Sequence, residues 1–224
     1  MEEELNSEGK CLFCNETFSQ KEIGKHLATH LKKMEKEDSK KMPETFCHIV
    51  VEADVMFLHL LVKGNATMKK IDTFLRKVWL ECCGHLSGFG HKDFKISMTH
   101  KVLDVFETKV KIYHDYDYGS TTRVFLKGVK NYQLKLKEDI ILLSRNEPLK
   151  LMCSKCGNQA AVNICTVCDW DFYCESCSKL HEKECEDFSD YASMPIVNSP
   201  RMGVCGYEGG QIDTERDGIY QKNK

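Results

Sequence analysis

The chain has 224 residues, 42% hydrophobic and 29% charged, with a formal net charge of −2; this is enough for one middle-sized core and some small modules. No apolar run approaches the roughly 20 residues of a membrane span, and no portion is basic enough to announce nucleic-acid binding by charge alone. The balance hides an asymmetry, since residues 47–150 carry 17 Lys and Arg against 12 Asp and Glu, and residues 151–224 carry 7 against 12. The acidic start, Met1-Glu2-Glu3-Glu4, lacks the apolar stretch of a secretory signal, so a cytoplasmic location is expected. Most of the thirteen cysteines then read as metal ligands rather than as a disulfide framework.

The first predicted module spans residues 1–31. Cys11 and Cys14, followed by His26 and His30, resemble a single C2H2 zinc finger. The cysteine pair wraps a metal from one tight turn, and two histidines one helical turn apart share a face, so four donors can converge on one zinc. Phe18 and Ile23 stand where such fingers keep a small apolar core. A lone finger reads about three base pairs, so Ser19, Gln20, Lys21 and Glu22 are candidates for base contact, with a protein-contact or stabilising role as the alternative. Residues 32–46, rich in Lys and Glu, read as a charged helical linker ending before Pro43.

Residues 47–150 are predicted to form the main domain. Val55 to Val62 is an unbroken apolar run of strand length closed by Lys63-Gly64. Met68, Ile71, Leu75, Val78 and Trp79 share one face of a predicted amphipathic helix, with Gly84 as its stop. Strands are expected at 94–98, 110–113, 122–129 and 139–143, with turn chemistry at Tyr116-Asp117-Tyr118-Gly119-Ser120. One strand, one helix and then several strands spell an α+β fold, a mostly antiparallel sheet packed with an amphipathic helix. Cys82, Cys83, His85, His114, Asp115 and Asp117 are the residues here with catalytic chemistry. Sequence adjacency alone does not build a nucleophile and its base, so no catalytic site is expected.

Residues 151–190 hold the densest donor pattern in the chain. Cys153, Cys156, Cys165, Cys168, Cys174, Cys177, His181 and Cys185 form four close pairs, which make two complete four-ligand sets with no open position for catalysis. The short stretch from Asp169 to Tyr173 favours interleaving. Cys153, Cys156, Cys174 and Cys177 would bind one zinc, and Cys165, Cys168, His181 and Cys185 another. The spacing resembles the B-box and, less closely, MYND-type cross-braced fingers. With the N-terminal finger, three zinc ions are expected. Trp170, Phe172 and Tyr173 read as packing around the metals, or alternatively as an apolar contact for a partner.

Beyond the two-zinc module, residues 191–210 read as a closing segment of the α+β domain and 211–224 as a polar tail. His85-Leu86-Ser87-Gly88-Phe89, Tyr116-Asp117-Tyr118-Gly119 and Arg145-Asn146-Glu147-Pro148, with the closing Asn198 to Tyr207, resemble the Ri-plasmid ORF-three-like family. Members of that family include passenger proteins of insertion elements. Ser120 and Thr122 stand where many members carry an acidic residue and a Trp. The resemblance implies an α+β domain over 47–150, resumed at 191–210 and interrupted by the two-zinc module. Three functions remain open. The leading one is a nucleic-acid-associated accessory protein linked to mobile elements, binding DNA or RNA. The alternatives are an adaptor that docks another protein through the two-zinc module, and an enzyme with its site in the central domain. No membrane partner is expected, and the sequence sets no oligomeric state.

Overall fold

The apolar run predicted at 55–62 forms the middle of a large sheet, and the reason lies in its composition. A strand with no polar alternation needs cover on both faces. In the computed structural model, which describes residues 7–38, 42–107 and 110–212, Met56 to Val62 are all buried along that strand. The expected tail 211–224 lies outside the described residues from position 213 on, as do Met1 to Glu4 and residues 39–41 of the linker.

The described residues divide into two units. The first takes those up to Leu75 and Leu86–Glu147, and the second takes Arg76–His85 and those from Pro148 onward.

The first unit is α+β. Its strands are β1 (Glu8–Cys11), β2 (Thr17–Ser19), β3 (Glu44–Ala53), β4 (Met56–Lys63), β5 (Ser87–His91), β6 (Phe94–Ile96), β7 (Lys111–Tyr116), β8 (Thr122–Leu134) and β9 (Ile140–Asn146). Its helices are α1 (Gln20–Asp38), α2 (Met68–Leu75) and α3 (Val102–Phe106). The nine strands make one sheet in the order β2-β1-β9-β4-β3-β8-β7-β5-β6, with antiparallel neighbours throughout. Both strands of the N-terminal finger belong to this sheet, because β1 pairs with β9 at Gly9–Asn146, Lys10–Arg145 and Cys11–Ser144.

Helix α1 runs through the boundary expected at 31/32 and covers part of one sheet face. Ile23, Leu27 and Leu31 recur at helical spacing and are buried with Phe46, Phe57, Leu61, Tyr132, Leu134 and Leu143 in one cluster. Helix α3 covers the opposite face, where a Cβ on Gly128 would stand 3.2 Å from Phe106. Burial of this many fully covered side chains contributes about 1.5–3 kcal/mol each before entropy is counted. Among the described residues, the face that carries α1 is open toward β7 and β5. There Lys111, Arg123, Phe125 and Lys127 are exposed, and Tyr113 is half-buried.

The second unit begins with a π turn at Arg76–Leu80 that follows α2 directly. Val78 and Trp79 are buried, as the helical periodicity from Met68 onward requires. After residue 148 come β10 (Asn163–Cys165), β11 (Phe172–Tyr173), α4 (Glu175–His181), a second π turn (Phe188–Ala192) and β12 (Ser193–Pro195). The three strands pair as β11-β10-β12. Apart from cysteines, the small core of this module contains Tyr173, Phe188 and Ala192. So few apolar groups are a thin basis for a fold without further cross-links.

Candidate metal centres

Among the described residues, four groups of Cys and His could each hold a metal ion, with the donor atoms of a group all within 4.8 Å of one another. The first joins Cys11, Cys14, His26 and His30. Cys11 and Cys14 sit on a tight turn closed by the Asn15 amide donating to the Cys11 carbonyl at 2.8 Å. The histidines lie one turn apart on α1, with their Nε2 atoms 3.1 Å apart and that of His26 3.2 Å from Cys14 Sγ. Phe18 stacks on His26 at 3.9 Å between ring centroids and fixes its orientation.

In the C-terminal module the first and third pairs meet, bringing Cys153, Cys156, Cys174 and Cys177 together. The second pair, Cys165 and Cys168, meets His181 and Cys185. Cys156 Sγ lies 3.9 Å from Cys174 Sγ, and Cys168 Sγ 3.7 Å from Cys185 Sγ. A tetrahedron with metal–sulfur bonds of about 2.3 Å has edges of about 3.8 Å, whereas a disulfide brings the sulfurs to about 2.05 Å. The spacing is that of shared ligation. All thirteen cysteines stand as thiols.

Electrostatics argue the same way. The Cys168 thiol is pushed up to about 12 by hydrogen bonding with Cys165 and Cys185, and burial together with Cys174 pushes Cys177 up to about 12, while hydrogen bonding with Ser176 brings Cys174 down to about 6. Thiolates packed this closely cannot all ionise unless a cation sits among them. His181 Nε2 is buried with no hydrogen-bond partner among the described residues, although its ring is held by stacking on Tyr173 at 4.2 Å. A buried imidazole nitrogen in that state fits a metal ligand.

The fourth group, Cys82, Cys83, His85 and Cys205, was not among the expected ligand sets. Sequence spacing gives little sign of it, because three donors sit almost consecutively and the fourth is about 120 positions away.

No family model and no curated protein matches the chain. Among solved structures, the chain is similar to a protein of unknown function, MM3350, from Methanosarcina mazei Go1. The identity is 18%, the match covers 46% of this chain and 69% of that one, and the TM-score is 0.40.

The remaining candidates for chemistry fall elsewhere. His114 is fully buried and its Nε2 donates to Asp72 Oδ1 at 2.8 Å, while Ser87 Oγ donates to the same oxygen at 2.6 Å. The serine thus bonds the carboxylate, and His114 and Ser87 meet through Asp72. Asp115 holds Arg123 in a two-bond pair at 2.6 and 2.8 Å. Asp117 is a turn residue with φ of 64° whose carboxylate accepts from the Gly119 amide at 2.9 Å. Ser19 Oγ donates to Glu22 at 2.6 Å, closing the start of α1. Trp170 is half-exposed and lies over Gly203, where an added Cβ would come within 2.5 Å of the indole. Among the described residues, no helix is long and apolar enough to cross a membrane.

Proposed function

We propose that the protein is a zinc-dependent, nucleic-acid-associated protein in which the metals are structural and the open sheet face makes the contact. The observation that carries this reading is the outward row of β7 and β8. Register places Lys111 opposite Lys127, Tyr113 opposite Phe125, and Asp115 opposite Arg123. Arg123 lies over the Tyr113 ring at 4.1 Å and Lys111 over Phe125 at 4.5 Å. Beside them, Gly88 and Gly90 of β5 leave room for the Tyr118 and Tyr113 rings to lie close over the strand. Aromatic rings interleaved with exposed cations on a sheet suit unpaired bases, which stack on the rings while the cations meet phosphates.

The finger supports this reading only as scaffold. Its helix buries Ile23, Leu27 and Leu31, and zinc at Cys11, Cys14, His26 and His30 fixes the end of the sheet. Zinc is the metal that suits these donors, because sets of four thiolates, of three thiolates with one imidazole, and of two of each are closed tetrahedral zinc sites. Thirteen thiols suit a reducing compartment, so we place the protein in the cytoplasm. The link to mobile elements rests on the resemblance of residues 85–89, 116–119 and 145–148 alone.

Fluorescence anisotropy with a labelled single-stranded oligonucleotide, a duplex and a structured RNA, each over a salt series, tests the reading. Affinity should fall as salt rises, and Lys111→Ala and Lys127→Ala should each reduce the log–log slope by about 1. Phe125→Ala should weaken single-strand binding without changing the slope. Absence of binding at low salt overturns the proposal.

A further inference from the structure

We propose that Cys82, Cys83, His85 and Cys205 hold a fourth zinc ion, which fastens the closing segment of the chain to the turn that follows the first π turn. This goes beyond the three expected sites and rests on zinc being the metal of those sites.

The geometry is that of three thiolates and one imidazole around a single ion. Cys83 Sγ lies 3.7 Å from Cys82 Sγ, 3.6 Å from Cys205 Sγ and 3.0 Å from His85 Nε2, and that nitrogen lies 3.3 Å from Cys205 Sγ. The sulfur separations match the roughly 3.8 Å edge of a zinc tetrahedron and are far from a disulfide. A Cys–His nucleophilic pair would need one thiol and an orienting group behind the ring. Here three thiols surround one imidazole nitrogen.

The surrounding chain is built to bring these donors together. Gly84, with φ of 84°, reverses the backbone between Cys83 and His85, a conformation that glycine adopts without penalty. Its amide donates to Glu81 Oε1 at 2.6 Å, and Glu81 is held in turn by Arg76 Nε at 2.5 Å. From the other side, Ser199 Oγ donates to the Trp79 carbonyl at 2.6 Å, and the Gln211 amide to the Lys77 carbonyl at 2.6 Å. The fully buried Arg201 points Nε at Cys82 Sγ, 3.4 Å away, where a guanidinium favours a thiolate. Gly210 crosses so close that a Cβ would meet the Val78 carbonyl oxygen at 2.3 Å. Two stretches about 120 positions apart are thus held in register, and the four donors sit where they meet.

Cysteine usage supports the assignment. With this set, twelve of the thirteen cysteines belong to a four-donor group, and Cys47, buried in β3, stands outside. The fourth group differs from the others in exposure. Each of the other three has at least one buried donor, whereas Cys83 and Cys205 are exposed and Cys82 and His85 are half-buried. Solvent and chelators reach this ion first, so it exchanges ahead of the other three.

Elemental analysis of full-length protein purified in zinc tests the proposal, together with native mass spectrometry during a chelator titration. Wild type should carry four zinc per chain, Cys205→Ser three, and Cys205→His, which keeps a donor, four. The first ion to leave should expose Cys82, Cys83 and Cys205 to alkylation while the other nine ligand cysteines stay protected. Three zinc in wild type, with those three thiols alkylated from the start, overturns the fourth site and leaves the other three intact. Retention of four by Cys205→Ser also overturns it. A count near zero overturns the zinc reading as a whole. Where the serine variant does not fold, the alkylation map of wild type decides alone.

Discussion

His48 Nε2 lies 2.9 Å from His59 Nδ1 inside the large sheet, so one ring donates to the other and the pair shares a single proton between them. Burial holds His48 down at about 4, and burial with the neighbouring His48 holds His59 at about 3. Both lie below the ordinary value of about 6.5. The unfolded chain therefore binds more protons than the folded one between about pH 6.5 and 3. Stability from this pair is complete above about pH 6.5 and is lost as pH falls through that window, by at most about 1.4 kcal/mol per pH unit for each ring. Urea unfolding of wild type and His59→Gln across pH 4–7.5 checks this. The variant should show the flatter dependence, and parallel curves would remove the pair from the account.

Leu27 ties the finger to the sheet. It is fully buried on α1, in one cluster with Phe57 and Leu143. Leu27→Ala should destabilise the whole first unit by about 2–5 kcal/mol, seen as a lower urea midpoint by circular dichroism. Lys21→Ala, at an exposed position of the same helix, should stay within about 0.5 kcal/mol. A finger that folded by itself would leave the main transition unmoved by Leu27→Ala.

Metal removal should separate the units. The C-terminal module buries few apolar residues besides its cysteines, so ligation carries its folding free energy. The sheet has a large apolar core of its own. Strong chelation should make Lys155, Lys179 and Lys183 accessible to trypsin while the β-sheet signal of the first unit persists. Retained protection of the module after complete zinc removal would contradict this.

Gly203→Ala reports on Trp170. Gly203 has φ of 75° and lies under the indole, so the substitution is strained in its backbone and displaces the ring. Of the two tryptophans, Trp79 is fully buried. A red shift and stronger acrylamide quenching therefore report the release of Trp170. An unchanged spectrum would show that the indole does not rest there in solution.

Much of the architecture was legible in the sequence. The apolar run at 55–62, the helix face from Met68 to Trp79 and the repeated Cys-x2-Cys pairs are local patterns, and local patterns survive folding. What escaped depends on contacts between distant residues. β3 carries His48 and Glu52 within an otherwise apolar stretch, and His59 meets His48 there from β4. β5 holds Gly88 and Gly90, which have poor strand propensity, and the Tyr113 and Tyr118 rings close over them. The fourth donor group shows the same limit, because Cys205 has no ligand partner nearby in sequence.

The passage of Arg76–His85 into the second unit, followed by a return to the first at Leu86, constrains how the protein can be made. The second unit is discontinuous, so a fragment beginning at Pro148 would lack Trp79 and three donors of the fourth group. On the ribosome, residues 76–85 emerge more than a hundred positions before Cys205 and must wait for it. During that interval Cys82, Cys83 and His85 form an incomplete binding site, open to any passing metal or oxidant. The segment that carries Cys205 is then a timing device as well as a fastening: the second unit can be completed only after residue 205 has been made.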